Sequence, residues 1–228
     1  MVTAALVLAA GQGKRLGLGE PKGFVQLEGR TLVERSVNVF CAVAAVDWIQ
    51  PVLPKGLEAD WEKTPAHAMA GVLRAIPGGK ERQDSVELGL QALPPDVELV
   101  AVHDAARCLV TVQEVERVLD VGRRTGAALL ACPATDTMKR VRQGAVIETP
   151  DRSECWIAQT PQVFQVALLR RALADAKLDG FVGTDDSQLV ERLGHAVQVV
   201  QGSADNFKIT RPGDLDRAAQ VLTERGDA

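Results

Sequence analysis

Apolar positions in this chain fall into two rhythms that alternate along its length. Short continuous apolar runs, the mark of strands covered on both faces, occur at 4–10, 48–53, 99–103 and 127–132. Between them, apolar residues recur at helical spacing over 32–46, 85–93 and 111–124. The punctuation agrees. Thr31 stands where an N-cap belongs, Asp84 is read as the cap of the second helix, and Pro94 with Pro95 stops it. Gly11 ends the first run and Pro54 closes the second. The alternation predicts an α/β protein, a mainly parallel sheet with helices on both faces.

One stretch breaks this rhythm. Between Asp136 and Phe164, the segment Met-Lys-Arg-Val at 138–141, a turn at Gly144 and Ile147–Glu148–Thr149–Pro150 read as a β-hairpin arm over roughly residues 134–158. Such an arm leaves an apolar face open unless something covers it. A second copy of the chain, giving a homodimer, is one reading; a hairpin folded back on its own domain is the other. No repeat or long linker divides residues 1–228, so the expectation is one domain with a protruding arm.

Composition narrows the function. The 228 residues carry 26 Lys and Arg against 30 Asp and Glu, a net charge of −4, with no Tyr and only 4% aromatics. A nucleic-acid coat and base-stacking platforms are therefore not expected. No run approaches the roughly 20 apolar residues of a membrane span. The first apolar stretch has no basic flank and runs into glycines, so it is read as a strand and not as a secretion signal. Cys41, Cys108, Cys132 and Cys155 show no metal spacing, which suggests reduced, mostly buried thiols in a cytoplasmic protein.

The strongest chemical feature is the loop Leu8-Ala9-Ala10-Gly11-Gln12-Gly13-Lys14-Arg15-Leu16-Gly17, followed by Pro21-Lys22. A strand runs into small residues, so backbone N–H groups can approach an anion without obstruction by Cβ atoms. Lys14, Arg15 and Lys22 add cations, and a phosphate-bearing ligand is the natural counterpart. The third glycine is wrongly spaced for a dinucleotide fingerprint, and no Gly-Lys-Ser/Thr closes a Walker A loop.

This signature resembles that of the sugar-nucleotide and related nucleotidylyltransferases. Further segments follow in matching order: Gly78-Gly79 with Arg82 and Asp84-Ser85-Val86; Val102-His103-Asp104-Ala105-Ala106-Arg107; and Asp136-Thr137-Met138-Lys139-Arg140. Then come Asp151-Arg152, Gln159-Thr160-Pro161-Gln162-Val163-Phe164, Thr184-Asp185-Asp186, and Asp205 through Leu215. Together, from about residue 4 to 219, they resemble the 2-C-methyl-D-erythritol 4-phosphate cytidylyltransferase family. The fold this implies is Rossmann-like. The activity it implies joins a polyol phosphate to the α-phosphate of CTP and expels pyrophosphate. The nearest alternative acceptor is ribitol 5-phosphate, because one methyl group discriminates by only about 1–3 kcal/mol. A non-catalytic nucleotide-sensing module is the reading from another class.

The resemblance also implies roles, residue by residue. Arg15, Lys22 and Lys208 would be the catalytic cations. Ala9, Ala10, Gly11, Gly13, Gly79 and Ser85 would bind the nucleotide, with Asp104, Ala105 and Arg107 beside them. Asp104 would also hold Mg²⁺; its plain reading is a helix cap. Arg152 would grip the acceptor phosphate, in its own subunit or across a dimer, with Thr137, Thr160 and Thr184 hydrogen-bonding the polyol or supporting Arg152. His103 is read as structural, and Lys14 as a solvated loop lysine. A phosphomonoester is already ionised near neutrality, its second pKa being about 6, so the reaction needs cations and alignment and not a general base.

Overall fold

The computed structural model describes residues 1–227 apart from Gln12, Lys14, Arg15 and Leu18. In chain order the first elements are β1 (Val2–Leu8), β2 (Gln26–Leu27), β3 (Arg30–Thr31), α1 (Leu32–Cys41), β4 (Trp48–Leu53), the single turn α2 (Glu58–Trp61) and β5 (Ile76–Pro77). Then follow α3 (Arg82–Ala92), β6 (Val97–Asp104), α4 (Val112–Thr125), β7 (Ala127–Pro133), β8 (Arg140–Arg142) and β9 (Ala145–Glu148). The last are β10 (Trp156–Gln165), α5 (Val166–Leu178), α6 (Asp186–Arg192), β11 (Gln198–Gln201) and α7 (Gly213–Arg225).

The main sheet has the order β11-β7-β10-β6-β1-β4-β5, with every pairing parallel except those of β10, which runs antiparallel to both β6 and β7. Strand β1 explains why its sequence is apolar throughout. Ala5 and Val7 pack on one face against Val33, Val37 and Phe40 of α1 and the core of α4; Ala4, Leu6 and Leu8 face α3, α5 and α6 through Val86, Leu90, Leu169, Leu173 and Leu189. Burial on both faces removes any need for alternation. A third apolar cluster joins Leu16, Val25, Leu27 and Leu109 to Ile209, Val221 and Leu222, so α7 seals the chain beyond the glycine loop.

The Rossmann-like architecture read from the sequence is therefore the one observed, with shifts at element ends. Thr31 caps α1 as expected, its hydroxyl accepting from the Glu34 N–H while the Glu34 carboxylate accepts from the Thr31 N–H. The same reciprocal box opens α4 at Thr111 and Glu114, and Gly126 ends that helix at φ +86°. Helix α1 stops at Cys41 and does not reach Val46, because the chain turns there so that Asp47 can exchange bonds with Thr3 and start β4 beside β1. Asp84 is not the cap of α3. The helix begins a turn earlier, and Asp84 accepts from the N–H of the capping residue Glu81 from inside its first turn.

The hairpin expected near residue 144 is β8–β9, turning at Gln143 and Gly144, both at positive φ. It is exposed over both strands. The end of the arm differs from expectation: Trp156–Ala158 already pair with β7 as part of the main sheet. Of the four thiols, Cys108 alone is buried and the other three are half-buried, so the expectation of mostly buried thiols does not hold.

Candidate active site

Chain order reverses around β1: the chain crosses to β4 and β5 on one side, then returns through α3 to β6 on the other. In open α/β sheets the crevice beyond the strand ends at such a point is where ligands bind. Here it is a cavity of about 220 Å³ lined by Leu8 to Gly11 after β1, Asp104 to Ala106 at the end of β6, and Gly79 to Arg82 with Ser85 at the start of α3. Lys22, Gly23 and Lys208 complete the lining. That volume is below the roughly 300–1,000 Å³ of pockets that enclose a whole ligand, so part of a nucleotide would lie along the open loops.

The walls are built from small residues in close contact. A Cβ on Gly78 would stand 2.4 Å from Ala10 Cβ and 2.8 Å from Ser85 Oγ, and one on Gly23 would stand 2.6 Å from Ala9 Cβ. The Ser85 hydroxyl accepts from the Gly79 N–H at 3.1 Å and donates to the Glu81 carbonyl at 3.2 Å. Its hydrogen is thus committed, and its remaining lone pair can accept from a ligand amine. Gly13, at φ +66°, packs on Lys22, whose N–H donates to the Gly11 carbonyl at 3.3 Å.

Asp104 is the electrostatic centre. Its Oδ1 accepts from Arg82 Nε at 3.1 Å and its Oδ2 from Lys208 Nζ at 2.6 Å. Burial pushes this carboxyl up, but the Arg82 and Lys208 charges outweigh it and hold the group well below the usual carboxylate range. Its N–H donates to Thr160 Oγ1 at 3.1 Å, and that hydroxyl lies 3.1 Å from His103 Nδ1. Burial pushes the His103 imidazole down to about 3, so it is neutral, in keeping with a structural role. Lys208 reaches the site from an irregular segment, and the Ile209 N–H ties that segment to the Ala106 carbonyl at 2.8 Å.

Of the residues singled out from sequence, Ala9, Ala10, Gly11, Lys22, Gly79, Ser85, Asp104, Ala105 and Lys208 line one cavity. Arg15 lies outside the described residues, as does Lys14. Thr160 sits beneath the cavity and supports Asp104. Arg107 is spent on the backbone, donating to the Asn206 carbonyl at 2.9 Å and the Ala158 carbonyl at 3.1 Å. Thr137 and Arg152 stand exposed at the base of the arm, Arg152 donating to the Thr135 carbonyl at 3.0 Å. Thr184 borders a separate hollow with Trp156, Ala158 and Gln188, and its N–H donates to Gln188 Oε1 at 2.9 Å.

Two residues of this constellation belong to the motifs above yet take no role from sequence: Arg82 and Asp186. Arg82 Nη1 donates to Asp186 Oδ2 at 2.7 Å. A basic residue three positions after a glycine pair carries no local signal of a partner 104 residues away.

Comparison with known proteins identifies the family. The model of the IspD family, 2-C-methyl-D-erythritol 4-phosphate cytidylyltransferase, matches residues 3–224. The cytidylyltransferase of that name from Synechococcus sp. (strain WH7803) is 42% identical over 221 residues, covering 96% of this chain and 99% of its own. Its counterpart from Symbiobacterium thermophilum is 44% identical over 224 residues, covering 97% and 92%. The crystal structure of the Thermus thermophilus enzyme superposes with a TM-score of 0.80 at 36% identity, covering 98% of this chain and 100% of the other. That of 4-diphosphocytidyl-2C-methyl-D-erythritol synthase from Anaerococcus prevotii does so at 0.88 and 28% identity, covering 97% and 96%. By family model, whole-length relatives and fold alike, the chain belongs to the 2-C-methyl-D-erythritol 4-phosphate cytidylyltransferase family.

Proposed function

We propose that this chain transfers the cytidylyl group of CTP to 2-C-methyl-D-erythritol 4-phosphate, giving 4-diphosphocytidyl-2-C-methyl-D-erythritol and pyrophosphate. The observation that carries this reading is convergence: Lys22 and Lys208, from opposite ends of the chain, meet Asp104 and the small-walled pocket of Ala9, Ala10, Gly79 and Ser85 in one cavity.

The acceptor phosphate is the nucleophile and is already ionised near pH 7, so no side chain has to take its proton. Its oxygen attacks the α-phosphorus in line as the bond to the β-phosphate oxygen breaks. The work left to the protein is alignment and stabilisation of the charge that gathers at the α-phosphate. Lys22, with Arg15 as its expected neighbour in the loop, serves the triphosphate, and Lys208 sits between the two substrates. The pocket wall favours a pyrimidine over a purine by size. The Ser85 lone pair suits the cytosine amino group, a donor that uracil replaces with an acceptor.

A divalent cation fits this donor set in one way. Among the described residues no three His, Cys, Asp or Glu side chains come together. Asp104 with phosphate oxygens and water would hold the ion, a set that suits magnesium. When bound it would supply neutralisation of the triphosphate charge. Arg152, Thr137 and Thr184 are assigned to the acceptor, and Arg107 to bracing the loop after β6. The arm, where Val141, Val146 and Ile147 are exposed, and the start of β10, where Trp156 and Ile157 are exposed, support a homodimer in which Arg152 serves its own or the partner's acceptor. Residues 1–228 are read as one domain. No helix among the described residues is long and apolar enough to cross a membrane. Four cysteines without a disulfide support a cytoplasmic setting.

Pyrophosphate release from CTP, compared for methylerythritol phosphate and ribitol 5-phosphate, tests the assignment. Faster turnover with the methylerythritol acceptor is expected. Preference for ribitol 5-phosphate, or release with neither, would refute it.

A further inference from the structure

The two cations on Asp104 are held in very different ways. Lys208 touches one oxygen, from an irregular segment, with its side chain 39% exposed. Arg82 opens α3 and is pinned at a second point by Asp186, whose side chain is 1% exposed. Asp186 is itself fixed: its N–H donates to Gln162 Oε1 on β10 at 3.1 Å, and the same oxygen accepts from the Ser187 N–H at 3.0 Å. Gln162 Nε2 in turn donates to Asp185 Oδ2 at 2.8 Å. Behind Arg82, then, stands a sheet strand and a helix start; behind Lys208 stands a flexible four-carbon stem.

The guanidinium also has a donor in reserve. A carboxylate taken side-on by arginine accepts from Nε and Nη2 together. Here the second oxygen of Asp104 is occupied by Lys208, and Arg82 Nη2 is buried without a hydrogen-bond partner among the described residues. Asp104 therefore has two partners held differently, Arg82 anchored at a second point by Asp186 and Lys208 on a part-exposed side chain.

Resting on the cytidylyl-transfer reading above, we infer that Arg82, clamped by the buried Asp186, is a positioning residue for the transfer: it holds Asp104 so that Lys208 can leave that carboxylate and take up a phosphate. Without Arg82, the Lys208 ammonium would be the near counter-charge of Asp104 and would stay on it. A lysine at position 82 would carry all its donors on one nitrogen, whereas Arg82 reaches Asp104 from Nε and Asp186 from Nη1.

Removing Arg82 alone leaves a buried carboxylate unpaired, so the informative variant is the double substitution Arg82→Gln/Asp186→Asn, which removes both charges while keeping similar shape. Steady-state kinetics with CTP and methylerythritol phosphate, thermal melts, and calorimetry of CTP binding without acceptor are measured for four proteins. These are the wild type, the double variant, Lys208→Met and their combination. The double variant is expected to melt near the wild type, to keep CTP affinity within about 3-fold and to lose about 10-fold or more in kcat, the pattern of an interaction made at the transfer step. In the Lys208→Met background the same two substitutions should cost less than about 3-fold, because the lysine they serve is gone. Losses that simply multiply would overturn the inference, as would an unchanged kcat. So would a matching fall in CTP affinity, which would make Arg82 a nucleotide contact instead. Wild-type protein that releases no pyrophosphate would count against the transfer reading itself; active wild type with multiplying losses would count against Arg82 alone.

Discussion

Replacing Thr160 by Val tests how Asp104 is held at the end of β6. The Thr160 hydroxyl accepts the Asp104 N–H at 3.1 Å and lies 3.1 Å from His103 Nδ1, with all three residues buried. The hydroxyl accepts from the backbone and also bonds to the ring, so one side chain ties down two neighbouring residues at the end of β6. Valine copies the shape of threonine but neither bond. Two buried groups lose their partners, at about 1–3 kcal/mol each, so the variant should be less stable by about 2–6 kcal/mol. For a chain of this length each kcal/mol shifts the melting temperature by roughly 2–4 °C, which puts the middle of the range near a 12 °C fall. Calorimetric melts at pH 7.5 measure it, with Thr160→Ser as the control that keeps the hydroxyl and loses only a methyl, worth about 1 kcal/mol. A Thr160→Val protein melting within about 1 °C of wild type would show that the chain Asp104–Thr160–His103 contributes nothing.

Further outcomes follow from the same geometry. Burial holds His103 at about 3 against an ordinary 6.5, so the unfolded chain binds the proton first. The stability gained by keeping it neutral is complete above pH 6.5 and is lost progressively as pH falls toward 3; urea midpoints that stay flat from pH 6.5 to 4 would contradict this. Lys22→Ala should keep its melting temperature and lose about 10²-fold or more in kcat, the scale of one transition-state donor, and undiminished turnover would remove it from the mechanism. Gly78→Ala forces a Cβ to within 2.4 Å of Ala10 Cβ, and the displaced wall should raise the KM for CTP by about 10-fold, read from CTP titrations of pyrophosphate release. If the proposed homodimer forms through the arm, Ile147→Asp, on its exposed face, should shift sedimentation velocity from dimer to monomer; an unchanged profile, or a wild type that is already monomeric, would refute that interface.

Local physics made much of the fold legible in the chain. The apolar run of β1 is legible because both of its faces are covered, and Thr111 with Glu114 before an amphipathic stretch marks a helix start through bonds only three residues apart. The misreadings have the same local origin. Asp84 looks like a cap because it precedes an apolar period, yet Glu81 caps the helix and Asp84 reaches back to it. Strand β11, Gln-Val-Val-Gln, carries too short an apolar signal to stand out, and its parallel pairing with β7 makes it a strand.

For the site, the sequence by itself determined the chemistry: a glycine loop with cations, an aspartate ending an apolar run, and an ordered set of motifs that identifies the family. Those signals are readable because each lies within a few residues of chain. The tertiary structure alone decided which charges meet. Arg82 and Lys208 each find Asp104 from far along the chain, and Asp186 braces Arg82 from a helix on another part of the sheet. It also turned Arg107 onto backbone carbonyls that no local pattern names. The physical reason is that periodicity records the burial and hydrogen bonding of neighbours in sequence, whereas ion pairs between distant residues depend on the order in which strands enter the sheet.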